Sequence, residues 1–154
     1  MTRQSIVFAG IGTALMAGGI DWVTKHFLFP TANRSIFSLP TWFIQLTDHR
    51  NYGMTFDIPF PQTLLLAITF LILLGLVVVL CTRKSLTWVE AIGIGLVIGG
   101  AIGNFMDRLL LGFVRDWLLF FHRSAINLAD VAVLIGVILL LLHPHTSHQK
   151  ETAR

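Results

Sequence analysis

Residues Gln62 to Cys81 read QTLLLAITFLILLGLVVVLC, twenty residues without a charge. A bilayer core of about 30 Å needs a helix of about 20 residues. The stretch has no alternation of period two and is too long for one strand, so it reads as a membrane-crossing helix. Three further segments resemble it. Gln4 to Ile20 is uncharged, and apolar character resumes from Trp22 to Phe29. Ala91 to Met106 is uncharged, with Glu90 just before it. Val131 to Leu142 is uncharged, and a helix over it could begin near Ala125. The reading is four spans, at about 5–28, 61–81, 88–107 and 125–142, in one integral membrane domain covering 1–154.

Composition agrees. Of 154 residues 55% are hydrophobic and only 12% charged, against about 25% charged in soluble domains. Mean hydropathy is +0.76. A soluble globular domain and a disordered chain are both excluded. The net charge of +3 is scattered, with no basic face, so nucleic acid is not a partner. One cysteine, Cys81, forbids an internal disulfide; it reads as a small buried hydrophobe. The N-terminal apolar run resembles a signal peptide. We expect it to be retained, because Asp21 and Lys25 interrupt continuing apolar sequence and no A-x-A site follows.

Four spans place both termini on one side, with the linker near Thr82 to Thr87. Lys and Arg number five on that side and six on the other, so the positive-inside rule does not decide. The Arg83-Lys84 pair in a tight turn is the best anchor and puts the termini in the cytoplasm. The surface loop 29–60 carries a β-prone run, Thr41 to Leu46, and is expected to hold short strands at the membrane surface. Residues 108–124 read as a second loop. The tail from His143 is polar; its histidines look like a metal tract but read as solvated, and no metal site is expected.

The acids are unevenly placed. Asp21, Asp48, Asp57, Asp107, Asp116 and Asp130 all map by span parity to the half away from the termini. Ionisable groups at membrane depth are costly and usually face a polar interior. Asn104 and Arg108 are four apart and share a helix face. Asn127 and Asp130, three apart, do likewise. Asp21 precedes Lys25 by four, the favourable order for a pair. Gly95, Gly99 and Gly103 form a small-residue ridge for close helix packing. Bland readings stand beside these: Asp21 with Lys25 as an interfacial ion pair, Asp107 with Arg108 as a helix end. Asp130 inside an apolar helix resists one. No H-E-x-x-H, G-x-S-x-G or phosphate loop is present. Two carboxylates sharing a proton would suffice for hydrolysis without metal or cofactor. An ion-coupled transporter subunit and a non-catalytic scaffold are the other readings that composition and spacing leave open.

Gly99-Gly100-Ala101-Ile102-Gly103-Asn104-Phe105-Met106-Asp107-Arg108 resembles the G-G-A-x-G-N-x-x-D-R motif of lipoprotein signal peptidases, the signal peptidase II family. Gly112-Phe113-Val114-Arg115-Asp116 is similar to the family's G-x-V-x-D. Asn127-Leu128-Ala129-Asp130 is similar to N-x-A-D, and Asp21-Trp22-Val23-Thr24-Lys25 to D-x-x-T-K. Asn51-Tyr52-Gly53-Met54-Thr55-Phe56 resembles N-x-G-A-A-F. The five motifs come in family order.

The resemblance implies an all-α membrane protein of four transmembrane helices with a small periplasmic β cradle. It implies an aspartic endopeptidase of the bacterial inner membrane that cuts diacylglyceryl-modified prolipoproteins before the lipidated cysteine, at the periplasmic or outer face. By motif position Asp116 and Asp130 would be the catalytic pair. Asn104, Arg108, Asn127, Asp21, Lys25, Asn51, Gly53 and Asp107 would shape the site or hold substrate. The partners implied are that precursor, membrane lipid and the inhibitor globomycin; no cofactor is implied. Met54-Thr55 stands where two alanines are usual, Arg115 where an apolar residue is, and Trp117 and Ile126 where phenylalanines are. These departures bear on substrate preference and inhibitor affinity.

Overall fold

The computed structural model describes residues 2–29, 44–54, 58–121 and 124–143. Residues 41–43 of the β-prone run, Thr55, Asp57 and the tail histidines beyond His143 lie outside the described residues. In chain order come helix α1 (Arg3–Leu28), strand β1 (Ile44–Asn51), helices α2 (Gln62–Thr82) and α3 (Trp88–Leu111), strands β2 (Val114–Phe120) and β3 (Ser124–Ile126), and helix α4 (Leu128–Leu142). The strands form one antiparallel sheet in the order β1-β2-β3. The protein is mostly helical with this small sheet.

Helix α3 is the centre of the bundle. Its buried positions fall on two faces because it packs against α1 on one and α4 on the other. The ridge Gly95-Gly99-Gly103 lies on α1, as the spacing predicts: a Cβ on Gly95 or Gly99 would strike the carbonyl oxygens of Gly10 or Ala14. Helix α2 is apolar on all sides and largely exposed, the pattern of a helix facing lipid. At the terminal end Leu80, Leu86, Ala91, Ile94 and Ile98 make a small buried core.

Helices α1 and α2 begin and end within two residues of the first two expected spans. Two boundaries differ. Helix α3 does not stop at Arg108 but runs to Leu111, and Gly112, at φ 81°, terminates it in the left-handed conformation. The second loop is therefore mostly regular structure, about one turn of helix followed by β2 and β3. Helix α4 does not begin near Ala125: Ser124–Ile126 pairs with Leu118–Phe120, and Asn127 is the helix cap. Cys81 is exposed at the end of α2 rather than buried.

Among the described residues three helices, α1, α2 and α3, are long and apolar enough to cross a membrane. Helix α4 is apolar but has 15 residues, or about 22 Å at ~1.5 Å per residue, short of a full crossing.

Candidate active site

The cap of α4 is the local origin of the site. Asn127 Oδ1 accepts from the Asp130 N–H at 3.1 Å, and the Asn127 N–H donates to Asp130 Oδ2 at 3.3 Å. This reciprocal box satisfies two groups that a helix start leaves open. The neighbouring Ala129 N–H is taken by Asp21 Oδ1 from α1 at 2.9 Å, an acid suited to the positive end of the helix. That approach needs Gly103 beneath it, since a Cβ there would collide with Asp21 Oδ2.

Around this cap sit two carboxyls, Asp116 and Asp130, and three asparagines. Asp116 is fully buried on β2, opposite His49 in the register with β1. Its Oδ1 accepts from Asn127 Nδ2 at 2.6 Å and its Oδ2 from Asn51 Nδ2 at 3.0 Å. Asp130, half-buried, accepts at Oδ1 from Asn104 Nδ2, 2.8 Å away.

The amide orientations are fixed, because each carbonyl oxygen meets a group that can only donate. Asn51 Oδ1 accepts from Gly53 N–H at 2.9 Å. Asn127 Oδ1 accepts from Asp130 N–H. Asn104 Oδ1 accepts from Lys25 Nζ at 2.8 Å and from Asn127 Nδ2 at 3.1 Å. All three NH2 groups therefore point at the carboxyls.

Behind the asparagines lies a charged layer. Lys25, 1% exposed, contacts Asp21 Oδ2 at 2.8 Å and Asp107 Oδ2 at 3.2 Å. Asp21 and Lys25 are thus a buried pair, not an interfacial one. Asp107 also binds Arg115, through the backbone N–H at 3.1 Å, Nε at 3.1 Å and Nη2 at 2.7 Å. Arg108 reaches the Gly53 carbonyl from Nη2 at 2.9 Å and the Asn104 carbonyl from Nη1 at 3.4 Å. It closes the segment after β1 onto α3, and it makes no hydrogen bond to either carboxylate.

All ten residues that the sequence singles out fall into this one hydrogen-bonded network. Asp48 is exposed on β1. Sequence reasoning missed three members: Arg115 as the partner of Asp107, Gln62, whose Nε2 donates to the Arg108 carbonyl at 3.1 Å, and the Ala129 N–H. Gly112 was the available signal for Arg115, since a turn there brings position 115 back against α3.

The electrostatics separate the two carboxyls. Burial pushes the Asp116 carboxyl up to about 7, and the neighbouring Asp130 charge adds to the rise; the Asn51 and Asn127 hydrogen bonds and the Lys25 charge work against it. Among the described residues no ion pair reaches Asp116 or Asp130, and no group of three His, Cys, Asp or Glu is arranged to hold a metal. One carboxyl protonated near neutrality beside another at a helix N-terminus can act as acid and base on one water.

Residues 13–145 match the family described as Signal peptidase (SPase) II. The chain is 38% identical to the lipoprotein signal peptidase of Caulobacter vibrioides over 98% of its length and 94% of that protein. It is 35% identical to that of Rhodopseudomonas palustris, over 86% and 88%, and 33% identical to that of Staphylococcus aureus, over 98% of both. A solved bacterial membrane enzyme superimposes with a TM-score of 0.78 at 32% identity, covering 94% of this chain and 93% of that one. A second gives 0.72 at 29% identity.

Proposed function

The chain belongs to the signal peptidase II family and is thus a membrane peptidase, and from that premise we propose that it hydrolyses diacylglyceryl-modified prolipoproteins just before the lipidated cysteine, with Asp116 and Asp130 as the acting pair. The observation that carries this reading is the set of three asparagine amides whose N–H groups converge on two carboxyls.

In this mechanism Asp130 is the ionised partner. It sits at the third position of α4, where the helix N-terminus favours negative charge. Asp116 is the protonated one, consistent with its rise to about 7. Asp130 takes a proton from water as the oxygen attacks the scissile carbonyl. Asp116 donates to the carbonyl oxygen. Collapse of the tetrahedral intermediate returns a proton to the leaving amine and resets the couple. Asn104 and Asn127 hold the carboxyls without neutralising them, and Arg108 orders the Gly53 segment at the rim.

The same proposal carries the topology. Helix α4 is the fourth crossing, termini lie in the cytoplasm, and the sheet with the site lies at the outer face of the inner membrane, in a single peptidase domain. Because α4 is about 22 Å long, a C-terminal end at the far surface leaves Asp130 below the near one, where lipid can present the substrate's acyl chains. Globomycin would compete at this site.

The test uses purified protein in detergent with a lipidated precursor and an unlipidated control. Cleavage of the first only, blocked by globomycin, is expected. Equal cleavage of both would remove the lipid requirement, and no cleavage by folded protein would end the peptidase reading.

A further inference from the structure

Arg115 lies one residue before Asp116, and the mechanism above does not use it. Its contacts are specific. Asp107, 4% exposed, divides its oxygens: Oδ1 receives Arg115 Nε and Nη2, while Oδ2 receives the Arg115 backbone N–H and Lys25 Nζ. Any residue but proline could supply the backbone bond. The two side-chain bonds belong to arginine at this position.

Two consequences follow. First, the contacts tie β2 to α3 one residue before Asp116, so they constrain where Asp116 can sit. Second, they complete a charge balance. Lys25 has three N–H donors and three acceptors, Asp21, Asp107 and Asn104. Asp21 and Asp107 carry two negative charges, Lys25 and Arg115 two positive ones. Without Arg115, Asp107 would oppose the Lys25 charge that acts on Asp116, and Lys25 would be drawn off Asn104, which holds Asp130. The register also asks for such a partner. Arg50 lies opposite Arg115, and like charges at that spacing repel. Arg50 turns to the Phe113 ring, 5.1 Å from its centroid, and Arg115 to Asp107.

We propose that Arg115 is a positioning residue for this peptidase: paired with Asp107, it locks β2 onto α3 and keeps Lys25 on Asn104, so that Asp116 and Asp130 are held together. The inference rests on the peptidase reading of the site. The groups facing the couple are Asp21 and Lys25 on α1, His49 and Asn51 on β1, and Asp107 and Arg108 on α3; only the charge of Arg115 is altered in the test.

The experiment measures precursor cleavage by the full chain in detergent, from pH 5 to 9, for the parent, Arg115→Gln and Arg115→Lys, with thermal unfolding alongside. Losing a positive charge favours the protonated form of Asp116, so loss of the acid's proton moves to higher pH. Arg115→Gln should therefore shift the optimum upward by roughly half a unit and lower kcat about tenfold with KM unchanged. Arg115→Lys should restore the optimum but not the full kcat, since an ammonium lacks the fork. A lysine variant at parental kcat, or a glutamine variant at the parental optimum, would overturn the proposal, as would a change confined to KM. If Arg115→Gln does not fold, the lysine variant alone decides. A parent that fails to cleave fells the peptidase reading and this inference together; an active parent beside indistinguishable variants fells this inference alone.

Discussion

Helices α3 and α4 begin with the same device. Thr87 accepts from the Glu90 N–H at 3.2 Å, and Glu90 Oε2 accepts from the Thr87 N–H at 2.8 Å. Asn127 and Asp130 repeat the arrangement three elements later. What surrounds each box differs. Glu90 has a cation, Arg83 Nη1 at 3.1 Å, and its Oε2 also accepts from Thr87 Oγ1 at 2.9 Å. Asp130 receives an amide from Asn104, 26 residues away. Asn127 sends its own amide to Asp116. A cap whose acid is neutralised by a nearby cation is a structural end. A cap whose acid is met by long-range amides rather than by a cation is one that chemistry can use.

The comparison breaks most visibly if the two acids are exchanged for amides. Asp130→Asn and Asp116→Asn should each lower precursor cleavage at least about a thousandfold, the scale of lost acid–base catalysis. Glu90→Gln should leave the rate within about twofold and lower thermal stability instead. The isosteric change at 116 has a cost the sequence did not reveal. Both Asp116 oxygens accept N–H bonds, so an amide there sets one donor against another. Equal activity in Asp130→Asn and Glu90→Gln would erase the distinction.

Removing the caps themselves comes next. Thr87→Ala and Asn127→Ala should each destabilise the protein by about 1 kcal/mol. Only Asn127→Ala should also slow cleavage, by roughly a hundredfold, because its amide orients Asp116. Arg108→Lys should follow at about tenfold through a looser Gly53 segment; a parental rate would leave Arg108 a packing residue.

Proton affinity sharpens the same contrast. Asp116 is raised to about 7, so it keeps its proton on folding where an unfolded chain would have lost it. The stability this lends is complete below the ordinary carboxylate range and is lost as pH rises through about 7. The melting temperature of the parent should fall from the ordinary carboxylate range up to about 7 and level off above it, whereas cleavage should fall as pH passes about 7. In Asp116→Asn the melting curve should lose this dependence; a variant that keeps it would place the titration on another group.

Legibility follows the range of the interactions. Charge-free length disclosed the helices, and acid placement disclosed the end at which the polar network lies. The stop of α3 was misread because Asp107-Arg108 looks like a helix end, whereas both side chains turn inward and Gly112 ends the helix. Ala125-Ile126 continues an apolar run, so nothing local says strand; β2 supplies the edge that makes it one. The pairings that build the site, Lys25 with Asn104 or Asn51 with Asp116, join residues 79 and 65 positions apart. Periodicity cannot reach that far, and only ordered motifs set these residues on one list.

The smallest effect tests whether burial, rather than position at one end of the molecule, is what counts. Asp48 lies at the same end as the site, on β1 where the register shifts between Leu46 and His49. It is next to His49, which stands opposite Asp116. It is nonetheless exposed, whereas Asp116 is fully buried. A charge in water is screened within about 10 Å at ordinary salt, and surface substitutions usually change stability by less than about 0.5 kcal/mol. Asp48→Asn should therefore cleave within about twofold of the parent and keep its pH optimum. If it lost activity as Asp130→Asn should, the charge that matters would belong to the sheet and not to the cap of α4.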